Sequence, residues 1–217
     1  MKYNDFDLFR KECIHLGLEI KGRPRVFKNV SLHIRGVNNT IEFSPTSKID
    51  GCSIFFYSDL SSIFIGDDSK LSGNIKIGYN SKLQIGKKLS ITGGLSVGVS
   101  DETRLKIGDD CMFGIDVSIS THDYHPIFDY ETGERINFSK DIVIGNHVWL
   151  ANHVKVLKGS NIGNGSVIAQ ASILTSACPC NVIMAGNPAR IIKTSIFWDR
   201  ASLNTSHPKG ISKFKDL

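Results

Sequence analysis

The sequence has little of what builds a disulfide scaffold, a membrane span or a disordered chain. Five cysteines (Cys13, Cys52, Cys111, Cys178, Cys180) are an odd number without framework spacing, which fits reduced thiols and argues against a set of bridges. No stretch approaches the roughly 18 apolar residues of a membrane span, and the start, Met1-Lys2-Tyr3-Asn4-Asp5-Phe6-Asp7, holds no apolar run of signal-peptide length. A cytoplasmic location is expected, and the Asn-x-Ser/Thr sequons at Asn38, Asn164 and Asn204 are then without consequence. Prolines number 6 against 20 glycines, which suits a fold rich in tight corners. Charge of one sign is also scarce: the net charge is +5, part of it from Lys209, Lys213 and Lys215. The basic residues are scattered and no nucleic-acid motif is legible, so nucleic acid is excluded as the expected partner. A mild positive surplus suits a phosphorylated small molecule. With 217 residues, 41% hydrophobic and 22% charged, the chain is expected to form one elongated soluble domain with terminal additions.

What is present is a rhythm. An aliphatic residue returns at every sixth position in Ile144, Leu150, Val156, Ile162, Ile168 and Leu174. A helix would return apolar residues at three or four and a half-buried strand at two. Six is the step of a three-faced parallel β-helix, in which each hexapeptide supplies one short strand and a corner, and three make a coil of eighteen residues. Earlier tiles run Ile65, Leu71, Ile77, Leu83, then Ile85, Ile91, Val97, then Ile107, Phe113, Ile119. Residues 24 to 62 read as imperfect early coils. At the start, Phe6, Phe9, Cys13 and Leu16 form a helical stripe ending near Gly17, which would cap the open end of the prism. The expected organisation is a helical cap over 1–22, a parallel β-helix over 23–193 and a polar tail over 194–217.

The beat stops once, between 120 and 143. A loop of that length must be excluded from the coil, and long excursions of this kind usually carry function. It holds His122, Asp123, Tyr124, His125, Pro126 and the run Arg135-Ile136-Asn137. Either histidine suits base catalysis near neutral pH. Trp149, one position before the inward Leu150, should lie near a corner or outer surface, where a large aromatic suggests a site. Eighteen-residue stacking places Ala151 with Ala169 and Asn152 with Gln170, a flank along which a slender ligand could run.

These residues resemble a known family. The tiles, the segment Ile144-Gly145-Asn146-His147-Val148-Trp149-Leu150 and the ending Ala185-Gly186-Asn187-Pro188-Ala189-Arg190 look like the hexapeptide-repeat acyltransferases. Ile107-Gly108-Asp109-Asp110-Cys111-Met112-Phe113 and the histidine loop are similar to the capsule and exopolysaccharide O-acetyltransferases. The resemblance covers roughly residues 60 to 193. It implies an all-β, left-handed parallel β-helix, a homotrimer with active sites between subunits, acetyl-CoA as co-substrate without a metal, and a carbohydrate acceptor. It selects His125 as the general base, because the family's catalytic histidine precedes the coil tryptophan by the spacing that separates His125 from Trp149, and is often followed by proline, as here. Asp123 is the candidate partner of that imidazole, and His122 and Tyr124 are candidate substrate contacts. Trp149 falls where the family's tryptophan meets thioester and acceptor. Ala151, Asn152, Ala169, Gln170, Thr175, Ser176, Arg190 and Lys193 fall on the flank where CoA contacts occur, the last two toward phosphates, although Ser176 stands where many relatives have lysine.

Two other classes use the same architecture. An amino-sugar N-acetyltransferase differs only in its acceptor. A γ-type carbonic anhydrase needs three histidines across a subunit boundary, whereas His147 and His153 lie six apart and stack on Gly165 and Ala171. A non-catalytic scaffold would need neither the histidine loop nor Trp149.

Overall fold

A computed structural model describes residues 2–201; Lys209, Lys213, Lys215 and the sequon at Asn204 lie outside them. Three sheets, parallel except for the end strands Lys2–Tyr3 and Ala189–Lys193, wrap one apolar interior. The first sheet runs from strand Lys2–Tyr3 to Ile173–Leu174, the second from Ser90–Gly93 to Ala189–Lys193, and the third from Leu18–Gly22 to Asn161–Ile162. Ile144, Leu150, Val156, Ile162, Ile168 and Leu174 are all buried to 1% exposure or less, so the six-residue beat is the inward column of each face. Burying an aliphatic side chain of this size contributes about 1.5–3 kcal/mol. That is enough to fix register, since a one-residue slip would turn every such side chain outward.

The eighteen-residue coil holds only in the C-terminal half. Val143 pairs with Asn161, Trp149 with Val167 and Lys155 with Ile173, each 18 positions on. Earlier, Lys82 pairs with Arg104, Ser90 with Met112 and Ser96 with Ser118, each 22 positions on. The early coils are therefore larger and regular. Most of their strands are four residues or longer, as in Lys70–Ile77 and Lys82–Ile85, where late strands such as Trp149–Leu150 have two.

Corners carry left-handed backbone. One column consists of Asp68, Lys88, Asp110, His147, Gly165 and Asn181, with φ between 53° and 68°, linked by bonds such as Asp110 N–H to Lys87 O and His147 N–H to Asp109 O. A second contains Gly94, Asp116, His153 and Ala171. His147 thus stacks toward Gly165 and His153 toward Ala171, and no histidine ladder forms along either corner. Among the described residues, no group of three His, Cys, Asp or Glu side chains could hold a metal ion, and no helix is long and apolar enough to cross a membrane.

The helix Phe6–His15 starts at Asp5, whose carboxylate accepts from the N–H groups of Asp7 and Leu8. It buries Phe6, Phe9 and Cys13 against Phe27 and Phe43. Leu16 is exposed and forms the C-cap rather than part of the stripe. Coiling begins at once: Leu18–Gly22 already pairs with Asn39–Phe43. At the other end only the first part of the expected 194–217 tail, residues 194–201, lies among the described residues. Residues 194–201 fold back onto the prism and bury Trp198.

Candidate functional site

The break in the beat becomes an extrusion over residues 121–141, between strands Ser118–Ser120 of the first sheet and Ile142–Ile144 of the third. Its framework is polar. Asn137 is buried and uses both ends of its amide: the oxygen accepts from Ile127 N–H at 2.6 Å, and the nitrogen donates to His125 O at 2.9 Å and to Asp123 Oδ2 at 3.0 Å. Lys158, from the next coil, closes an ion pair with Asp123 and donates to Asn137 O at 3.0 Å. The Lys158 hydrogen bond, with Asn137 behind it, holds the Asp123 carboxyl below its ordinary pKa. Asp123 is expected from the sequence beside the His125 imidazole; the structure instead assigns its carboxylate to Lys158 and Asn137.

His122 and Tyr124 line a cavity of about 520 Å³ together with Tyr57, Lys76, Asp101, Pro126 and Arg135. The His122 ring is half-buried and packs edge-on to Tyr124, with centroids 4.4 Å apart. Burial lowers its pKa, and Asp101 and Asp123 oppose that shift. Its Nδ1 accepts the N–H of Tyr124 at 3.1 Å, so the neutral ring carries its proton on Nε2 and is a donor toward the cavity. Gly98 leaves room for this ring: a Cβ there would stand 3.1 Å from His122 Nε2. His125 is exposed, and its chain neighbours Tyr124 and Pro126 both line the cavity. His125 itself is not among the residues that line the cavity.

Trp149 lies elsewhere. It belongs to the second sheet, between Met112 and Val167, whereas the histidine loop leaves the first. Within one chain the structure does not bring His125 and Trp149 to the same face. The half-buried Trp149 meets Trp198, with ring centroids 5.9 Å apart at 47°. Trp198 stacks on His147 at 4.0 Å, donates its indole N–H to His147 O at 2.8 Å and returns its own carbonyl to His147 Nε2 at 2.9 Å. His147 Nδ1 meets Asp110 at 2.7 Å, and Arg200 binds the other Asp110 oxygen at 2.9 Å. Sequence reasoning missed this strap; the available signal was the apolar run Ile196-Phe197-Trp198 in a segment read as a polar tail.

The expected CoA flank is partly assembled. Ala151 and Ala169 stack, with Ala185 following Met184, which pairs with Ile168. Arg190 lies beside Ala185 on the antiparallel last strand. Small side chains thus lead to an exposed guanidinium. Asn152 spends its amide oxygen on Ile115 N–H at 2.8 Å, while Gln170 is exposed. Thr175 and Ser176, after strand Ile173–Leu174, fall at a different corner, below the loop and Lys158, and exposed Lys193 pairs with Ile183. The Cys178 thiol is buried, which raises its pKa to about 11, and Cys180 is exposed.

Comparison with known proteins places this geometry. The crystal structure of the polySia specific acetyltransferase NeuO matches 92% of this chain and 91% of its own, with a TM-score of 0.83 and 32% identity. That of the polysialic acid O-acetyltransferase OatWY matches 87% and 97%, with a TM-score of 0.66 and 31% identity. The chain belongs to the hexapeptide-repeat O-acetyltransferases. The family's left-handed, all-β parallel β-helix is therefore the fold of this chain. A polysialic acid O-acetyltransferase of Escherichia coli O1:K1 / APEC is 46% identical over 63% of this chain and 44% of its own length. One from Neisseria meningitidis is 34% identical over 54% and 64%. The matched region thus spans less than two thirds of either of these two curated relatives. No family model matches the sequence.

Proposed function

We propose that the chain transfers acetyl from acetyl-CoA to a hydroxyl of a capsule-type polysaccharide, a polymer of sialic acid being the first acceptor to try. The observation that carries this reading is the histidine loop, framed by Asn137 and opening on a cavity with Lys76 and Arg135, in a family whose similar members act on polysialic acid. His125 is the base: it takes the hydroxyl proton as oxygen attacks the thioester carbonyl, and the imidazolium returns that proton to the departing thiolate. His122, donating from Nε2 into the cavity, orients the acceptor together with Tyr124. Bound acetyl-CoA would supply the activated acyl group. The Ala151, Ala169, Ala185 column fits a slender arm, with Asn152 and Gln170 beside it and Arg190 and Lys193 toward phosphates; Thr175 and Ser176 would contact it only from a neighbouring subunit.

The protein works, on this reading, as a cytoplasmic homotrimer with sites between subunits. Support comes from the separation of His125 and Trp149 on one chain, which a neighbour's second sheet would repair. The extruded loop also exposes Ile127, Phe128, Tyr130, Ile136 and Phe138, Tyr130 completely, an apolar surface that asks for a partner. Incubation with acetyl-CoA and polysialic acid, followed by mass spectrometry of the glycan, tests the activity. O-acetylated sialic residues are expected. Acetyl groups found only on amino-sugar nitrogens would replace it with the N-acetyltransferase reading.

A further inference from the structure

Outside the loop, one face of the prism carries an ordered series of side chains that the reaction itself does not need. In the first sheet, His33 pairs with Phe55, Phe55 with Lys76, Lys76 with Gly98 and Gly98 with Ser120. The side chains of His33, Phe55, Lys76 and Ser120 point outward, since the alternate residues Phe56, Ile77 and Val99 are buried, and Gly98 among them lies under the His122 ring. The next outward position repeats the pattern through Arg35, Tyr57, Gly78 and Ser100. Two tracks therefore run along the prism axis from the foot of the histidine loop toward the first coils. Strands lie about 4.8 Å apart, so the four steps from Ser120 to His33 cover about 19 Å.

The tracks have a consistent chemistry. At the loop end Gly98 lies beneath the His122 ring, while Gly78 and Lys76 line the main cavity. Farther out, His33, Phe55 and Tyr57 form a wall of nearly parallel rings, His33 and Phe55 being 4.7 Å apart at 5° and Phe55 and Tyr57 6.1 Å apart at 9°. This wall and Arg35 line a second cavity of about 290 Å³, and Tyr57 lines both cavities. Neither Lys76 nor Arg35 has a carboxylate partner among the described residues. Unpaired cations alternating with aromatic rings suit a linear ligand that carries a carboxylate on each unit and presents C–H flanks between them.

We infer that this face is an extended acceptor track, on which several consecutive units of a linear polyanionic glycan lie along the prism axis while one unit enters the cavity at the histidine loop. The inference rests on the acetyl-transfer reading and adds to it the direction and length of the acceptor. It makes the enzyme prefer polymer over oligomer through contacts two to four coils away from the chemistry.

The test offers the full chain a long polysialic acid and a short sialyl oligosaccharide, in initial-rate assays and in binding titrations without acetyl-CoA. The long polymer should bind roughly tenfold tighter or better. Arg35→Glu and Phe55→Ala should abolish that advantage while leaving kcat and the KM for the short acceptor unchanged, and added salt should erase the Arg35 contribution. Arg35 is exposed, so its variant carries little folding risk if Phe55→Ala proves unstable. Equal affinity for both acceptors in the wild-type chain, or variants that weaken both alike, would overturn the track. If neither acceptor is acetylated, the activity reading falls, while length-dependent binding lost in Arg35→Glu still upholds the track.

Discussion

Asn137 donates its amide N–H to the carbonyl oxygen of His125 at 2.9 Å, and through that bond a residue at the end of the extruded loop fixes the backbone of a residue near its start. The same nitrogen reaches Asp123, and the amide oxygen takes the N–H of Ile127. Three polar groups in the loop therefore depend on one side chain. Asn137→Ala leaves them unmatched and frees the peptide that carries His125. Turnover is expected to fall roughly a hundredfold, the scale on which a misplaced catalytic group loses rate, with the melting temperature of the prism nearly unchanged. Steady-state kinetics beside a thermal melt check this. A large fall in melting temperature with normal kinetics would mean that the loop is a structural clasp only.

The ion pair between Asp123 and Lys158 gives the loop an acid limit. Because the Asp123 pKa is lowered from its ordinary 3.8, its contribution is present above that value and is lost as pH falls through the lower folded value. The pair is partly exposed, so the effect is modest. Lys158→Met should flatten the acid side of the pH-stability curve, as read by hydrogen exchange of the loop. An unchanged profile would show that the pair is screened out.

His122 contributes in the same protonation sense, its deprotonated form being favoured because burial lowers the pKa of a base. Its neutral form is favoured in the folded protein, so the contribution is complete above its ordinary value of 6.5 and is lost as pH falls through the folded value. NMR titration of the ring should find it neutral near pH 7, with Nδ1 unprotonated. A ring charged at that pH would remove the donor role assigned to it.

The Trp198 strap should open without unfolding the prism. Trp198→Ala removes the stacked partner of His147 and leaves residues 194–201 held by Arg200 at Asp110 and Ser90, by the Phe197 ring on His147 and by the Ile196 N–H to Asn181 O. Amide protection in that segment should drop while the coil core keeps its own. His147→Ala should produce the same opening, and the two substitutions together should cost less than their sum.

Much of the fold was legible because one physical requirement repeats. A parallel prism must bury one aliphatic side chain per short strand, and Ile144 to Leu174 meet it without a miss. The early coils were harder to read because longer strands stretch the period to 20–22 residues. The site was legible as a place, since the loop is where the beat fails. Its wiring was not. Asn137 bonds residues 10 to 14 positions earlier, and Arg200 reaches Ser90 across 110 positions, relations that no local pattern encodes. The separation of His125 from Trp149 follows from which sheet each strand joins, which periodicity alone does not decide.

Assembly has its own test. If each site takes its histidine from one subunit and Trp149 from a neighbour, then His125→Ala and Trp149→Ala proteins, each nearly inactive, should regain part of the activity when unfolded together and refolded as mixed oligomers. No recovery, in mixtures shown by mass to be mixed, would place both residues' roles within one chain.

The most direct measurement is the turnover of His125→Ala against His122→Ala, with CoA affinity and oligomeric mass followed in parallel. The account predicts a loss of several orders of magnitude for His125→Ala, a milder loss for His122→Ala, and CoA binding and mass unchanged in both. Near-normal turnover in His125→Ala, or the reverse order of the two variants, would contradict it.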